Sequence, residues 1–66
     1  MMSNYTATMI VEGQCELAGI NEDELTEEIY LEAWQHLVNT GLAWSLQGWF
    51  GRMAAALIKE GVINER

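Results

Sequence analysis

Residues 41–57, GLAWSLQGWFGRMAAAL, scan as a helix yet hold two tryptophans, a phenylalanine and three glycines. Leu42, Leu46, Trp49, Phe50, Met53 and Leu57 recur at helical spacing, and we read them as one face packed on a preceding helix. Trp44, Gly48, Gly51, Ala55 and Ile58 fall on the far side, a shallow groove of small residues with large ones at its ends. Glycine inside a helix costs roughly 1 kcal/mol relative to alanine, so two of them call for a compensating gain. Close approach of a backbone, from a neighbouring subunit or from the N-terminal segment, supplies one. The alternative is a kink or a late helix start at Ser45, which puts Gly48 in a first turn with no partner needed. Close packing ranks first of the two.

Working outward, Gly41 reads as the left-handed stop of an earlier helix, with Leu42 placed for the hydrophobic contact that accompanies such a cap. That helix runs from about Glu22 to Asn39. Its start signals are Asn21 as N-cap, Glu24 completing a capping box, Ile20 and Leu25 as a hydrophobic staple, and Glu22, Asp23 and Glu24 against the positive end of the dipole. The later helix runs from about Ala43 to Glu60, with Lys59 in its last turn and Gly61 as its stop. The short connection predicts an antiparallel helical hairpin.

On the first of these helices, Leu25, Ile29, Ala33, His36 and Leu37 share a side, with Tyr30 at its edge, while Trp34, Leu31 and Val38 make a second apolar patch across from it. Glu24, Glu28, Glu32 and Gln35 form the wetter strip. Apolar groups on two sides exceed what a surface helix of a monomer needs. The N-terminal segment, residues 1–19, is ambiguous: Tyr5 to Val11 is rich in β-formers and leans to strand by propensity. A lone strand has nothing to pair with in a helical chain, so context favours a short helix ending near Gly13.

Composition points the same way. The 66 residues form a single small helical domain, and a chain of that length buries only about 60% of the surface it exposes unfolded. Half of its residues are hydrophobic, which is rich for so small a sphere. One cysteine and one histidine leave neither an intrachain disulfide nor a structural zinc site to help, so self-association is the expected remedy. The fold class is therefore all-α: a hairpin with a short N-terminal helix, completed by homo-oligomerisation. Ten acidic residues against three basic ones give a net charge of −7, and Arg52, Lys59 and Arg66 are too scattered to bind phosphate backbones, so direct nucleic-acid binding is not expected. No leader-like segment and no run of about 18 apolar residues occurs, so secretion and membrane spanning lack support and a reduced cytoplasmic setting fits, with Cys15 a free thiol.

A family likeness emerges from these residues. IVEGQCEL, an acidic helix and AWQHLVNTGLAWSLQGWFGRMAAALIKEGVI resemble a widespread group of small tailed-bacteriophage proteins of unknown function. The shared core has the form T-G-x-A-W-x-L-Q-G-x-x-G-R-x-A, carried here by Thr40, Gly41, Trp44, Leu46, Gln47, Gly48, Gly51, Arg52 and Ala54. The group's N-terminal I-x-x-E-x-G-like element is blurred here to Glu12, Gly13 and Gln14, and the likeness runs from about Met9 to Ile63. It implies membership and a phage setting in the host cytoplasm, and no particular activity.

The residues give enzymatic readings little footing. His36 with Glu32 at i−4 has the makings of a general base, but a core-edge histidine with one nitrogen satisfied is the better reading. Cys15 has no activating base and reads as a small buried hydrophobe. Glu24, Glu28 and Glu32 lie in one row without a Glu-x-x-His motif, so a solvated face is preferred to a metal site. No catalytic residue, cofactor or metal is expected. For Arg52, an ion pair with Glu28 or Glu32 ranks ahead of an anchor in an interface. The interaction residues expected are Trp34, Trp44, Gln47, Gly48, Gly51, Arg52 and Ala55. The function expected is that of a non-enzymatic phage accessory protein, homo-oligomeric and binding a host or phage protein. The alternatives are an acidic nucleic-acid mimic that occupies a DNA- or RNA-binding protein, and a minor virion component.

Overall fold

A computed structural model describes residues 2–65, the side chains of Cys15 and Glu22 excepted, so the expectations for Cys15 and Arg66 lie outside the described residues. Among the described residues all regular structure is helical, with no strand: α1 (Asn4–Val11), two single 3-10 turns (Cys15–Ala18 and Glu22–Glu24), α2 (Glu27–Thr40), α3 (Leu42–Ser45) and α4 (Gly48–Glu60).

The N-terminal segment is a helix because local capping and core spacing agree against β propensity. Ser3 is the N-cap and its Oγ accepts from the Thr6 N–H at 3.0 Å. Thr8 turns its hydroxyl back to the Asn4 carbonyl at 2.8 Å, a bond that only a helix offers it. Ala7, Ile10 and Val11, spaced i, i+3, i+4, are all buried. Gly13, at φ +81, then turns the chain out of the helix.

The start of α2 differs from expectation. Asn21 and Glu24 do meet, Nδ2 donating to Oε1 at 2.8 Å, but they close only the 3-10 turn Glu22–Glu24. The α-helix begins at Glu27, where Thr26 is the N-cap and its Oγ1 accepts from the Ile29 N–H at 3.2 Å. The extra turn lets Ile20 and Leu25, one on either side of it, both pack against the core. Gly41 does end α2 in the left-handed conformation, at φ +83.

α2 is the centre of the molecule, and its two apolar patches are covered within the chain. α1 makes the closest backbone packing with it, and His36 Nε2 donates to Asn4 Oδ1 at 2.7 Å across that seam, leaving His36 half-buried at the core edge. On the other side Trp34 is wholly buried, 6.0 Å from the Phe50 ring and 6.2 Å, edge-on, from Trp49. The Trp34 Nε1 hydrogen has no acceptor among the described residues. The surface that made α2 look under-covered is met by α1 and α4 of the same chain, and α4 meets α2 through bulky side chains rather than closely paired backbones.

The single helix expected over 43–60 is broken. After the one turn of α3, Leu46 is extended (ψ −170) and Gln47 caps α4 with φ −54 and ψ 151. The break re-aims α4 so that Phe50, Ala54 and Leu57 face the core, while Trp49 and Met53, expected there, sit on its shoulder. The chain returns beyond Gly61: Ile63 is buried, and Gln35 clamps Asn64, its Oε1 accepting from the Asn64 N–H at 2.6 Å and its Nε2 donating to the Asn64 carbonyl at 2.9 Å.

Candidate interaction surface

The corner from α2 through α3 into α4 is built by the T-G-x-A-W-x-L-Q-G-x-x-G-R-x-A residues. Thr40 Oγ1 donates to the His36 carbonyl at 3.1 Å, as a helix-terminal hydroxyl does. Gly41 supplies the positive φ, and Ala43, almost fully buried, packs beneath the corner. Trp44 lies against Gly51: a Cβ on that glycine would come 3.6 Å from the indole Cε3 and 3.7 Å from the Ala43 carbonyl oxygen. A side chain there would thus make only ordinary van der Waals contact, and the neighbour is α3 of the same chain rather than another subunit or the N-terminal segment, so no close approach that demands a glycine is found. Gly48 is different. It opens the first turn of α4, and a Cβ there would meet only Arg52 Nη1, at 3.2 Å, so the late-start reading describes it.

Of the expected interaction residues, Trp34 is in the core and available to no partner. The others come together. At about 100° per residue, Gly48, Arg52 and Ala55 share the face of α4 turned away from Phe50, Ala54 and Leu57, and all three are exposed. Gly51 and the Trp44 ring flank that face, with Trp44 51% exposed, and Gln47 stands exposed at its N-terminal edge. Arg52 forms no ion pair with Glu28 or Glu32. Those carboxylates project from the wet strip of α2, while Arg52 points away from the core on the opposite face of α4. The side chains missed are Trp49 and Met53, both more than one-third exposed.

The charge on this surface is set by omission. From Ala33 through Ile58 the chain has no Asp or Glu, whereas eight of its ten acidic residues fall between Glu12 and Glu32 with no Lys or Arg among them. A protein of net charge −7 thus presents a face of aromatic, small and cationic groups.

A second concavity, a surface recess of about 220 Å³ lined by Met2, Glu32, Gln35, His36 and Asn39, is less available. The Gln35 amide is taken up by Asn64 and Asn39, and His36 Nε2 by Asn4. Among the described residues no three His, Cys, Asp or Glu side chains converge to hold a metal ion, and no helix is long and apolar enough to cross a membrane.

No curated protein and no solved structure matches the chain. A family model does match it, over residues 8–66, which include α2, α3, α4 and the whole corner motif. The chain belongs to that family, described as a domain of unknown function (DUF7417).

Proposed function

We propose that this is a non-enzymatic accessory protein of bacteriophage origin, acting in the host cytoplasm by binding protein through the outer surface of α3 and α4, and working as a homo-oligomer. The observation that carries the reading is Trp44, half exposed on a corner where Gly41 and Ala43 have evident roles in the fold. A large exposed indole beside an arginine and small residues is the composition of an interface anchor. The likeness of the corner motif to small tailed-phage proteins supports the origin.

The test compares the wild-type chain with Trp44→Ser, a substitution at an exposed ring that leaves the helix caps alone. Sedimentation should show the wild type well above its 7.4 kDa monomer mass at micromolar concentration, and the variant nearer to it, with the two far-ultraviolet spectra matching. Proteins retained from infected-cell lysate should be lost from the variant as well. Equal masses and equal retention would overturn the reading.

The acidic segment 12–32 favours a second reading, an acidic mimic occupying the basic cleft of a nucleic-acid-binding protein. The two differ in salt response. Capture that falls about tenfold or more between low and physiological salt supports mimicry, and capture that is nearly unchanged supports the apolar surface.

A further inference from the structure

Gln35 holds one residue by its backbone alone. Its Oε1 accepts from the Asn64 N–H at 2.6 Å and its Nε2 donates to the Asn64 carbonyl at 2.9 Å, so a single side-chain amide takes both main-chain groups of one residue. Asn64 thus turns both groups to the same side, as a residue of a strand does toward its partner. The Gln35 Nε2 also donates to Asn39 Oδ1 at 2.9 Å, one turn along α2, which fixes the plane of the amide. The Asn64 side chain takes no part: it is exposed and makes no hydrogen bond among the described residues. Every residue except proline offers the same N–H and carbonyl.

Immediately before Asn64, Ile63 is 5% exposed and belongs to the core, while Val62 on its other side is 46% exposed. The bonds that close α4 end at Val62, whose N–H reaches the Leu57 carbonyl at 3.2 Å. Beyond it, among the described residues, the strap of residues 63–65 is retained by one buried aliphatic side chain and one amide, and it can leave without opening a turn of any helix. Room remains beside the clamp, in the recess of about 220 Å³ that Gln35 lines with Glu32, His36 and Asn39.

We infer that Gln35, together with the place that Ile63 fills, is a receptor for an extended peptide of another protein, occupied in cis by the chain's own strap. The ligand is a stretch in which an aliphatic residue is followed by any residue but proline. Main-chain bonds supply the hold and the aliphatic position the selection, the division of labour found where extended peptides are recognised. The strap is both a likeness of the ligand and its competitor. A linked occupant acts at an effective concentration of about 1 mM when its link is short, so a free peptide enters when it binds better than the strap or when the strap is withdrawn. The receptor shares no residue with the α3–α4 surface, so the two readings stand or fall separately.

The probe is the acetylated, amidated peptide Gly-Val-Ile-Asn-Glu, which copies residues 61–65, added to the full chain and followed by the amide resonances of α2 and of the Gln35 side chain. Wild type should take it about tenfold more weakly than a chain carrying Ile63→Ser with Asn64→Pro, whose strap offers neither the aliphatic group nor the N–H. Asn64→Pro alone, at an exposed position, should give the same order with a smaller gap, and it serves if the buried substitution lowers helical content. A peptide methylated on the asparagine main-chain nitrogen, and one with serine for isoleucine, should each bind the opened chain about tenfold more weakly. Adding Gln35→Met to the opened chain should remove binding, and adding Trp44→Ser should leave it unchanged. Binding that ignores both the methyl group and Gln35→Met overturns the receptor, as does an opened chain of wild-type helical content that takes no peptide at millimolar concentration.

Discussion

The glycines show how one residue type answers different physical demands. Gly41 is required by its backbone, since φ +83 is a region that a side chain rarely enters. Gly48 is in ordinary helical conformation, and the only atom a methyl would meet belongs to the free end of Arg52. Gly48→Ala should therefore stabilise the protein by about 0.4–1 kcal/mol, through fewer conformations in the unfolded chain. Gly41→Ala should destabilise it by about 1 kcal/mol. In a domain of this size 1 kcal/mol moves the melting temperature by about 4–8 °C, so circular dichroism melts should shift in opposite directions for the two variants. Equal shifts would contradict the placement of Gly48 in the first turn of α4.

At the level of elements, what could be read from the residues was what local rules decide alone. Gly41 and Gly61 announced the ends of α2 and α4, and both are left-handed as that reading requires. The N-terminal helix was legible only from context, because a lone strand had nothing to pair with, and the burial of Ala7, Ile10 and Val11 at helical spacing bears it out. Two features were not legible, for different reasons. The start of α2 offered two competent caps five residues apart, and choosing between them depends on Ile20 and Leu25 both reaching a core that exists only after folding. The break at Leu46–Gln47 was weighed only through Gly48, as a late helix start ranked second, because neither Leu46 nor Gln47 itself announces it. It exists because α4 must turn Phe50 toward Trp34, a long-range demand that no window of sequence contains. The candidate surface inherits both results: its small and cationic residues were found, whereas Trp34 was misplaced onto it and Trp49 and Met53 were left off. The caps can be separated by stability. Thr26→Ala should cost about 1 kcal/mol, the usual worth of an N-cap, and Asn21→Ala less than half of that, measured by urea denaturation at equilibrium. The reverse order would mean that α2 starts at the earlier cap.

For the molecule as a whole, the uneven charge matters more than its sum. Carboxylates crowd one end of α2 with no cation among them, so in dilute buffer they repel one another in the folded state, while the core opposite carries no such strain. Raising sodium chloride from about 10 mM to about 200 mM shortens the Debye length from about 30 Å to under 10 Å and should raise the melting temperature by several degrees. A melting temperature that falls with salt would mean that favourable ion pairs outweigh the crowding.

The Gln35 clamp has an engineering consequence. Asn64 is bonded to Gln35, and Met2 borders the same recess that Gln35 lines, so the beginning and the end of the chain are neighbours on one side of α2. A short flexible link could join them, and the ring so formed could be reopened at the exposed turn Gly13–Gln14, between α1 and the next helical turn. Such a permuted chain would carry new ends just after α1, leaving the tryptophan corner clear for whatever binds there.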